Sequence, residues 1–339
     1  MKECTREDNG LYYNHFIIGA FDDFVRQPYI AIESYEGVYI PKSPIGDANF
    51  LLKALHKIHW SAKLNSKIKL PFKRIWFKKM CVHEFGNDKP VCYHFLGGQY
   101  IAGNNELKAY IRRLNPENKI IIGYGDLISK KHYKDFEIVR NSADLISTYD
   151  REEAEKYNIL FSGKRTYSRV QEITEPDHFD VDVYFLGYAK NRLDTILSVY
   201  RYLTENGLKC RFDLAEVPAD RQQPLEGIAY ISPIPYPEAV RRMNEAKCVL
   251  EICQSGSSEC TMRMVESIAY HRLLLTNADV RNSEYYHPQT MIRFQDPSDI
   301  DTDALKKPIP YSTFENTDQL LSPLQNLKYF DKRLAEKRG

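Results

Sequence analysis

The sequence predicts an α/β protein of two doubly wound domains, and three observations support this fold class. The chain has 339 residues, about the length of two domains. Strand-like and helix-like segments alternate in two successive blocks. A polar stretch, Ser162 to Asp180, separates the blocks. We therefore expect a first domain at 1–165, a linker at 166–180 and a second domain at 181–315.

The first block contains five strand-like runs with helical segments between them. Strands are predicted at "HFIIGAF", "GVYIP", "PVCYHFLGG", "KIIIGYG" and "DLIST". Helices are predicted at "ANFLLKALHKIHW", "NNELKAYIRRLN" and "REEAEKYN".

The second block shows the alternation more clearly. It reads as strand "VDVYFLG", helix "RLDTILSVYRYLTENG", strands "CRFDLAEV" and "IAYIS", helix "YPEAVRRMNEA" and strand "CVLEIC". Helices that return the chain between parallel strands make a doubly wound sheet, whose ligands bind outside the carboxyl ends of the strands. In the first of these helices the apolar residues recur at helical spacing and a glycine follows the end: Leu193, Ile196, Leu197, Tyr200, Leu203 and Gly207.

The last segment, 316–339, is predicted to form a helix that packs back on the first domain. The helix would begin near Ser322-Pro323, because proline suits the first turn.

Composition and cysteine usage narrow the class of protein. The sequence is 43% hydrophobic and 27% charged, as in ordinary globular domains. No run of eighteen apolar residues occurs, and "MKECTREDNGLYYNHF" lacks the apolar stretch of a secretory signal. Seven scattered cysteines do not make a disulfide framework in a chain of this size. We expect reduced thiols and a cytoplasmic protein without a spanning helix.

A repeated Cys-x-His spacing raises the question of a metal site. Cys81-Val-His83 and Cys92-Tyr-His94 flank a "GND" turn that could join two strands. Residues at i and i+2 share a strand face, so four zinc ligands could converge there. Buried cysteines beside half-buried histidines are common without a metal, and no second ligand cluster accompanies them. His56-x-x-His59 is likewise typical of a helix surface, and we predict no metal site.

The stretch "CQSGSSECTMRMVESIAYHRLLLTN", Cys253 to Asn277, carries the strongest indication of function. Together with "DVYFLGYAKNRLDTILSVYRYLTENGLKCRF" it resembles bacterial glycosyltransferases of lipopolysaccharide and capsule biosynthesis, which have the GT-B fold. The segments "SKIKLPFKRIW", "GDLISK" and "STYDREEAEKYNI" look like the same family. The resemblance covers about Lys63 to Asn277 and implies two Rossmann-like domains that face a cleft.

The resemblance implies a donor site in the second domain. Glu266 would contact the ribose of a nucleotide sugar, and Arg263 or the loop before it would contact the diphosphate. In a common form of the family motif an acidic residue lies eight positions before this glutamate. Here that position is Ser258, with Glu259 beside it, which puts in doubt both a catalytic role for Glu259 and the stereochemical course.

The residues themselves also favour an anion site at this place. A helix N-terminus offers unpaired N–H groups and partial positive charge, and small residues let a diphosphate approach. Cations after the first strand of the domain would neutralise a leaving diphosphate. The alternative is that Arg263 and Glu266 form an exposed pair of roughly 0.2 to 0.5 kcal/mol while the serines cap the helix. The expected donor-site residues are Gly187, Lys190, Arg192, Gln254, Gly256, Ser257, Ser258, Thr261, Arg263 and Glu266.

The acceptor side is indicated less directly. Gly97 and Gly98 follow a strand and would allow a sugar or phosphate to approach, or would form a tight turn. Asp126, at another strand end, and His94 are candidate general bases for an acceptor hydroxyl. Asp180-Val181-Asp182 resembles the metal-binding Asp-x-Asp of GT-A enzymes, but its position suits the entry to a strand. We expect no cofactor beyond the nucleotide-sugar donor.

The segment 50–82 is basic and partly apolar. It contains no Asp or Glu although the whole chain has a net charge of only +1. Aromatic and aliphatic residues interleave with cations from Lys53 to Lys79, as is typical of a surface that lies on anionic lipid. A solvated basic face is the alternative, and because no nucleic-acid motif is present we expect no nucleic-acid partner. The apolar residues are Trp60, Leu70, Phe72, Ile75, Trp76 and Phe77.

The sequence thus predicts a glycosyltransferase that moves a sugar from a nucleotide sugar to a lipid-linked or surface glycan of bacterial polysaccharide biosynthesis, peripheral on the inner leaflet of the plasma membrane. A non-catalytic GT-B-like nucleotide-binding subunit and a metal-dependent GT-A enzyme are the alternatives. Neither a dinucleotide fingerprint nor a GxxxxGK[ST] loop is present, which disfavours a nicotinamide enzyme or a kinase.

Overall fold

The chain forms two compact units, Met1–Lys164 with Ser322–Gly339, and Arg165–Leu321. Each contains a six-stranded sheet. A computed structural model describes residues 10–46, 48–65, 67–68, 70–97, 104–128, 136–162, 166–253 and 261–336.

The first sheet consists of β1 (Asn14–Ile18), β2 (Val38–Tyr39), β3 (Val91–Leu96), β4 (Lys119–Tyr124), β5 (Leu145–Thr148) and β6 (Leu160–Phe161). All its neighbouring strands are parallel, in the order β2-β1-β3-β4-β5-β6. Its strands are mostly buried, as expected of a parallel sheet covered on both faces. The register places His15 of β1 beside Cys92 of β3.

Helices connect these strands, and local sequence sets their ends. Asn49 caps one helix by accepting from the amide of Leu52, and Asp150 caps another through the amide of Glu153. Asn158, in the left-handed conformation, ends the latter. The helices are α1 (Asp23–Arg26), α2 (Phe50–His59), α3 (Ala62–Asn65), α4 (Arg74–Cys81), α5 (Asn104–Leu114), α6 (Phe136–Arg140) and α7 (Arg151–Tyr157).

The hairpin considered for Cys81 and Cys92 is wrong. Cys81 is the last residue of α4, and residues 82–90 form an irregular connection to β3. The physical reason is the spacing of four buried side chains along one helical face: Trp76, Phe77, Met80 and Cys81. His83 instead stacks on Tyr39, with ring centroids 3.6 Å apart, so the two Cys-x-His pairs do not share a strand face.

The second unit has the predicted doubly wound sheet. Its strands are β7 (Val181–Tyr188), β8 (Cys210–Ala215), β9 (Ile228–Ile231), β10 (Ala246–Glu251), β11 (Leu273–Thr276) and β12 (Met291–Arg293). They are parallel in the order β12-β11-β10-β7-β8-β9. The chain winds outward from β7 in one direction and from β10 in the other, which makes the β7/β10 boundary the topological switch point.

The described residues of this unit form five α-helices, and the segment before β7 contributes to its core. Tyr167, in the stretch predicted as a linker, is buried in the core cluster of the second unit. The helices are α8 (Leu193–Glu205), α9 (Tyr236–Asn244), α10 (Met262–Ala269), α11 (Thr302–Lys306) and α12 (Thr317–Leu320).

The final helix, α13 (Pro323–Glu336), belongs to the first unit. It begins at the proline that the sequence indicates, and it buries Leu327, Phe330 and Leu334. Phe330 and Leu334 pack with Tyr13, which precedes β1, and with side chains of the sheet. None of the helices in the described part of the chain has the length and apolar character needed to cross a bilayer.

Candidate functional site

The two central strands of the second sheet separate at their carboxyl ends. The register between β7 and β10 ends at the pair Tyr184 and Val249. In contrast, β7 stays paired with β8 to its last residue, and β10 stays paired with β11 to its last residue. The separation therefore lies at the switch point, where doubly wound sheets bind ligands.

Two arginine side chains occupy this separation. Arg263, in the first turn of α10, donates to the carbonyl of Leu186 at 3.2 Å. Arg192, which follows β7, donates to the carbonyl of Tyr188 at 2.6 Å and to that of Ile252. The two guanidinium groups thus donate hydrogen bonds to backbone carbonyls near the separated strand ends.

The charge of Arg192 is held in a partly desolvated place. Its Nε is buried and has no hydrogen-bonding partner among the described residues. Burial lowers its pKa, an effect opposed by Cys253 and Glu251. Because a guanidinium stays protonated at neutral pH even so, Arg192 brings a positive charge to the carboxyl edge of the sheet.

Glu266 is buried, and both of its carboxylate oxygens have partners. The carboxylate is 2% exposed; Tyr236 donates to Oε1 at 2.6 Å and Arg263 to Oε2 at 2.7 Å. The hydroxyl of Tyr167 lies 2.9 Å from that of Tyr236. The alternative of an exposed Arg263–Glu266 pair is therefore wrong, because Tyr236 and the sheet cover this part of α10.

The pKa values of this cluster reflect that burial. Desolvation acts to lower the pKa of Arg263, but Glu266 and Tyr236, together with Glu251 and Tyr184, outweigh it and the pKa is raised. Desolvation, and then Glu266, raise the pKa of Tyr236. The tyrosine is accordingly a fixed donor to Glu266 at any physiological pH.

The N-terminus of α10 is attached to the carboxyl end of β10. The Thr261 hydroxyl accepts from the amide of Arg263 at 3.1 Å and donates to Glu251. Glu251, also buried, accepts from Thr276 at 2.6 Å. The sequence analysis missed Glu251; the available signal was a carboxylate inside the apolar run "CVLEIC". Through Thr261, Glu251 holds the start of α10 at the switch point.

The turn after β7 carries local strain and open space. Lys190 is exposed and has φ 47°, a conformation that a lysine rarely adopts. Such outliers cluster at functional sites. At Gly187 an added Cβ would lie 3.5 Å from the ring of Phe185, which is an ordinary contact. Packing does not demand the glycine, and its missing side chain leaves room above the strand.

The other predicted site residues divide into two groups. Asp126 is exposed just beyond β4, Gly97 follows β3 with φ 62°, and His94 is buried inside β3. Their acceptor-side roles stay predictions. Six predicted residues lie outside the described part of the chain, namely Gly98, Gln254, Gly256, Ser257, Ser258 and Glu259.

The segment 50–82 forms what we call the basic apolar surface. Phe50 is 82% exposed, and α2 contains no acidic residue. Three predicted members of the surface are instead buried: Trp76, Phe77 and Lys73, whose ammonium donates to the carbonyl of His59. The exposed apolar residues are Phe50, Leu51, Leu55, Ile58, Leu64, Ile68, Phe72, Ile75 and Val82.

Comparisons with known proteins give similarity of architecture only. No protein family model and no curated protein sequence matches the chain, whereas 55 solved chains are similar in structure. A glycosyltransferase from Rickettsia africae is 12% identical, with 96% of this chain and 98% of that chain covered and a TM-score of 0.49. A sucrose-phosphate synthase from Thermosynechococcus elongatus is 10% identical, with 96% and 97% covered and a TM-score of 0.46. At these values the similarity carries no argument about activity.

The exclusion of nucleic acid requires correction. An α-glucosyltransferase solved with UDP and a 13-mer DNA is also similar, with 11% identity, 93% of each chain covered and a TM-score of 0.46. The absence of a motif was the wrong criterion, because clustered lysines attract the phosphates of nucleic acid as they attract those of lipid. The expectation of no nucleic-acid partner is therefore wrong.

Proposed function

We propose that the chain is a glycosyltransferase whose nucleotide-sugar donor binds at the carboxyl edge of the second sheet. The separation of β7 from β10, with Arg192 and Arg263 beside it, is the observation that carries the proposal. A guanidinium offers several N–H donors in a planar fork that matches phosphate oxygens. Lys190 adds an ammonium at the same edge, and Gly187 leaves space for the ligand.

The proposed reaction needs charge stabilisation more than a cofactor. The bond between the sugar and the diphosphate breaks, an acceptor oxygen forms the new bond to the sugar, and the acceptor proton passes to a base. The leaving nucleoside diphosphate gains negative charge, which Lys190 and Arg192 stabilise in the transition state. Asp126 and His94 remain the candidates for the base, and a catalytic role for Glu259 stays a prediction. No metal ion is required for these steps.

Binding can be tested with a panel of UDP-, GDP-, dTDP- and CMP-sugars in thermal unfolding. A donor at about 100 times its Kd stabilises by about 2.7 kcal/mol, or about 5–10 °C for a unit of this size. Lys190→Ala should reduce the shift. Lys209→Ala is the matched control, because Lys209 is an exposed lysine next to the amino end of β8, at the opposite edge of the sheet.

The proposal fails if no nucleotide sugar changes the unfolding temperature, or if both lysine variants respond as the native chain does. Hydrolysis of the bound donor then distinguishes an enzyme from a binding subunit. Binding without hydrolysis or transfer would support the non-catalytic alternative.

We further propose that the acceptor is lipid-linked and that the basic apolar surface docks on an anionic membrane at the inner leaflet, as in lipopolysaccharide or capsule assembly. Phe50, Leu51, Leu55 and Ile58 project from α2 beside exposed Lys53 and Lys57. Each cation near anionic lipid contributes about 1 kcal/mol. Exposed aliphatic side chains gain nothing from a phosphate backbone, and they gain hydrophobic energy in a bilayer interface, so lipid is the favoured partner.

Vesicle sedimentation tests this surface. The native chain should sediment with anionic vesicles and much less with neutral ones, and the double variant Phe50→Ser, Leu55→Ser should lose most of that binding. Leu114→Ser, which changes an exposed leucine of α5, should not. Equal sedimentation with both vesicle types, or binding to DNA with none to vesicles, would contradict the membrane proposal.

A further inference from the structure

A buried cluster in the first unit brings together one thiol and two imidazoles. His15 lies on β1, and Cys92 and His94 lie two residues apart on β3, so all three share one face of the sheet. One ligand atom from each residue lies within 4.8 Å of the others, and all three residues are buried. Nδ1 of His15 faces Nε2 of His94 at 2.8 Å.

Asp331 of α13 stands behind this cluster. Its Oδ1 lies 3.2 Å from Nε2 of His15, at an angle outside that of a regular hydrogen bond. Its Oδ2 accepts from the amide of Tyr12 at 2.7 Å. A carboxylate behind the outer nitrogen of a histidine fixes the tautomer that directs the other nitrogen inward. Asp331 therefore orients the Nδ1 lone pair of His15 toward His94 and Cys92.

We propose that His15, Cys92 and His94 bind one transition-metal ion, preferably Zn²⁺. Asp331 would lie beside the ring nitrogen of His15 that does not bind the ion. Imidazole and thiolate are the ligands that zinc prefers. The proposal goes beyond the donor site, which lies in the other unit.

Charge balance supports the assignment. On binding, the Cys92 thiol releases its proton to solvent and coordinates as thiolate. The two charges of the ion are then matched by the thiolate and by the buried carboxylate of Asp331. This arrangement leaves no net charge in the interior of the first unit.

The geometry requires a small adjustment. Two nitrogens bound to one tetrahedral zinc at about 2.0–2.1 Å lie about 3.3 Å apart. The two rings must therefore move apart by about 0.5 Å from their present 2.8 Å separation. Three protein ligands leave the fourth tetrahedral position for a further ligand. The ion would hold β1 and β3 to α13 through Asp331, a structural role.

The test uses the full chain, purified without chelator. Zinc is expected to co-purify at about one ion per chain, and Co²⁺ exchanged into the site should give a thiolate-to-cobalt charge-transfer absorption. Cys92→Ser should abolish that absorption and most of the zinc. Cys248→Ser, which changes a buried cysteine of the second unit, should leave both unchanged.

Absence of the cobalt absorption in the native chain, together with unfolding that chelator does not affect, would overturn the proposal. The cluster would then be a hydrogen-bonded pair of His15 and His94, with the Asp331 carboxylate beside His15. The cobalt spectrum of the native chain decides the question even if Cys92→Ser fails to fold. Because the readouts are metal content and absorption, they are independent of any glycosyltransferase activity.

Discussion

Breaking the buried Arg263–Glu266 pair should destabilise the second unit strongly. Removing one partner of a buried ion pair costs about 3–5 kcal/mol. The Arg263 side chain is 23% exposed and Glu266 only 2%, so water compensates part of the loss. We expect about 2–3 kcal/mol for Arg263→Met, which leaves the carboxylate with Tyr236 alone.

A double-mutant cycle measures the coupling directly. Glu266→Gln keeps the shape and one hydrogen bond toward Arg263 and should cost about 1–2 kcal/mol, the worth of a charge-assisted bond. The double variant should lose about 1–2 kcal/mol less unfolding free energy than the two single variants together. The reason is that no buried charge is left without a partner when both groups are replaced.

The assay must follow the second unit. Both tryptophans, Trp60 and Trp76, lie in the first unit, so their fluorescence does not monitor this change. Circular dichroism during thermal unfolding does, at about 2–4 °C per kcal/mol for about 150 residues. Arg241→Met is the matched control, because Arg241 is 53% exposed, pairs with Glu238 and Glu245 on the surface and should change stability by less than about 1 kcal/mol.

Two results would refute this reasoning. Arg263→Met could prove as mild as Arg241→Met, or the two changes could add without coupling. Either would mean that the pair is solvated.

Three further predictions concern single residues. Burial, then His59 and Lys73, lower the pKa of His56 from 6.5 to about 4. The stability that its neutral form contributes is therefore complete above pH 6.5 and is lost as the pH falls toward 4. On the order of 2 kcal/mol should disappear between pH 7 and 5, and tryptophan fluorescence should show a flatter acid dependence in His56→Gln; an unchanged dependence would exclude the effect. Lys190→Gly should raise stability by about 0.5–1 kcal/mol, because glycine adopts a positive φ without strain. The same variant should bind nucleotide more weakly in the thermal panel. A loss of stability would argue against strain at this position. Gly227→Ala should lower the free energy of unfolding by about 2 kcal/mol or more, because Gly227 has φ 82° and an added Cβ would clash with the carbonyl oxygen of Cys210. A loss below about 0.5 kcal/mol, measured by circular dichroism during unfolding, would contradict this.

Regular alternation made most of the fold predictable from the sequence. Helix α8 has a continuous apolar stripe, and β7, β8 and β10 are apolar runs bounded by turn residues, so their types and order followed from periodicity. Helix α4 was missed because its buried residues are mixed with exposed lysines in one short segment. The strands β6 and β12 have two and three residues, too few to show a period.

The candidate site was predictable only where its residues are neighbours in sequence. Arg263 and Glu266 are three positions apart, and their pairing follows from helix geometry. Their burial depends on Tyr236, 30 residues from Glu266, and on Leu186, 77 residues from Arg263. His15 lies 79 residues from His94. No local pattern reports such contacts, because parallel strands bring distant segments together.

The position of α13 has a consequence for synthesis on the ribosome. Tyr13 and Cys92 pack with Phe330 and Leu334 of this helix, and the roughly 160 residues of the second unit are translated between them. At about 5–20 residues per second that takes about 8–30 s. During this time the second unit can fold completely, whereas the nascent first unit still exposes an apolar sheet face to chaperones and proteases.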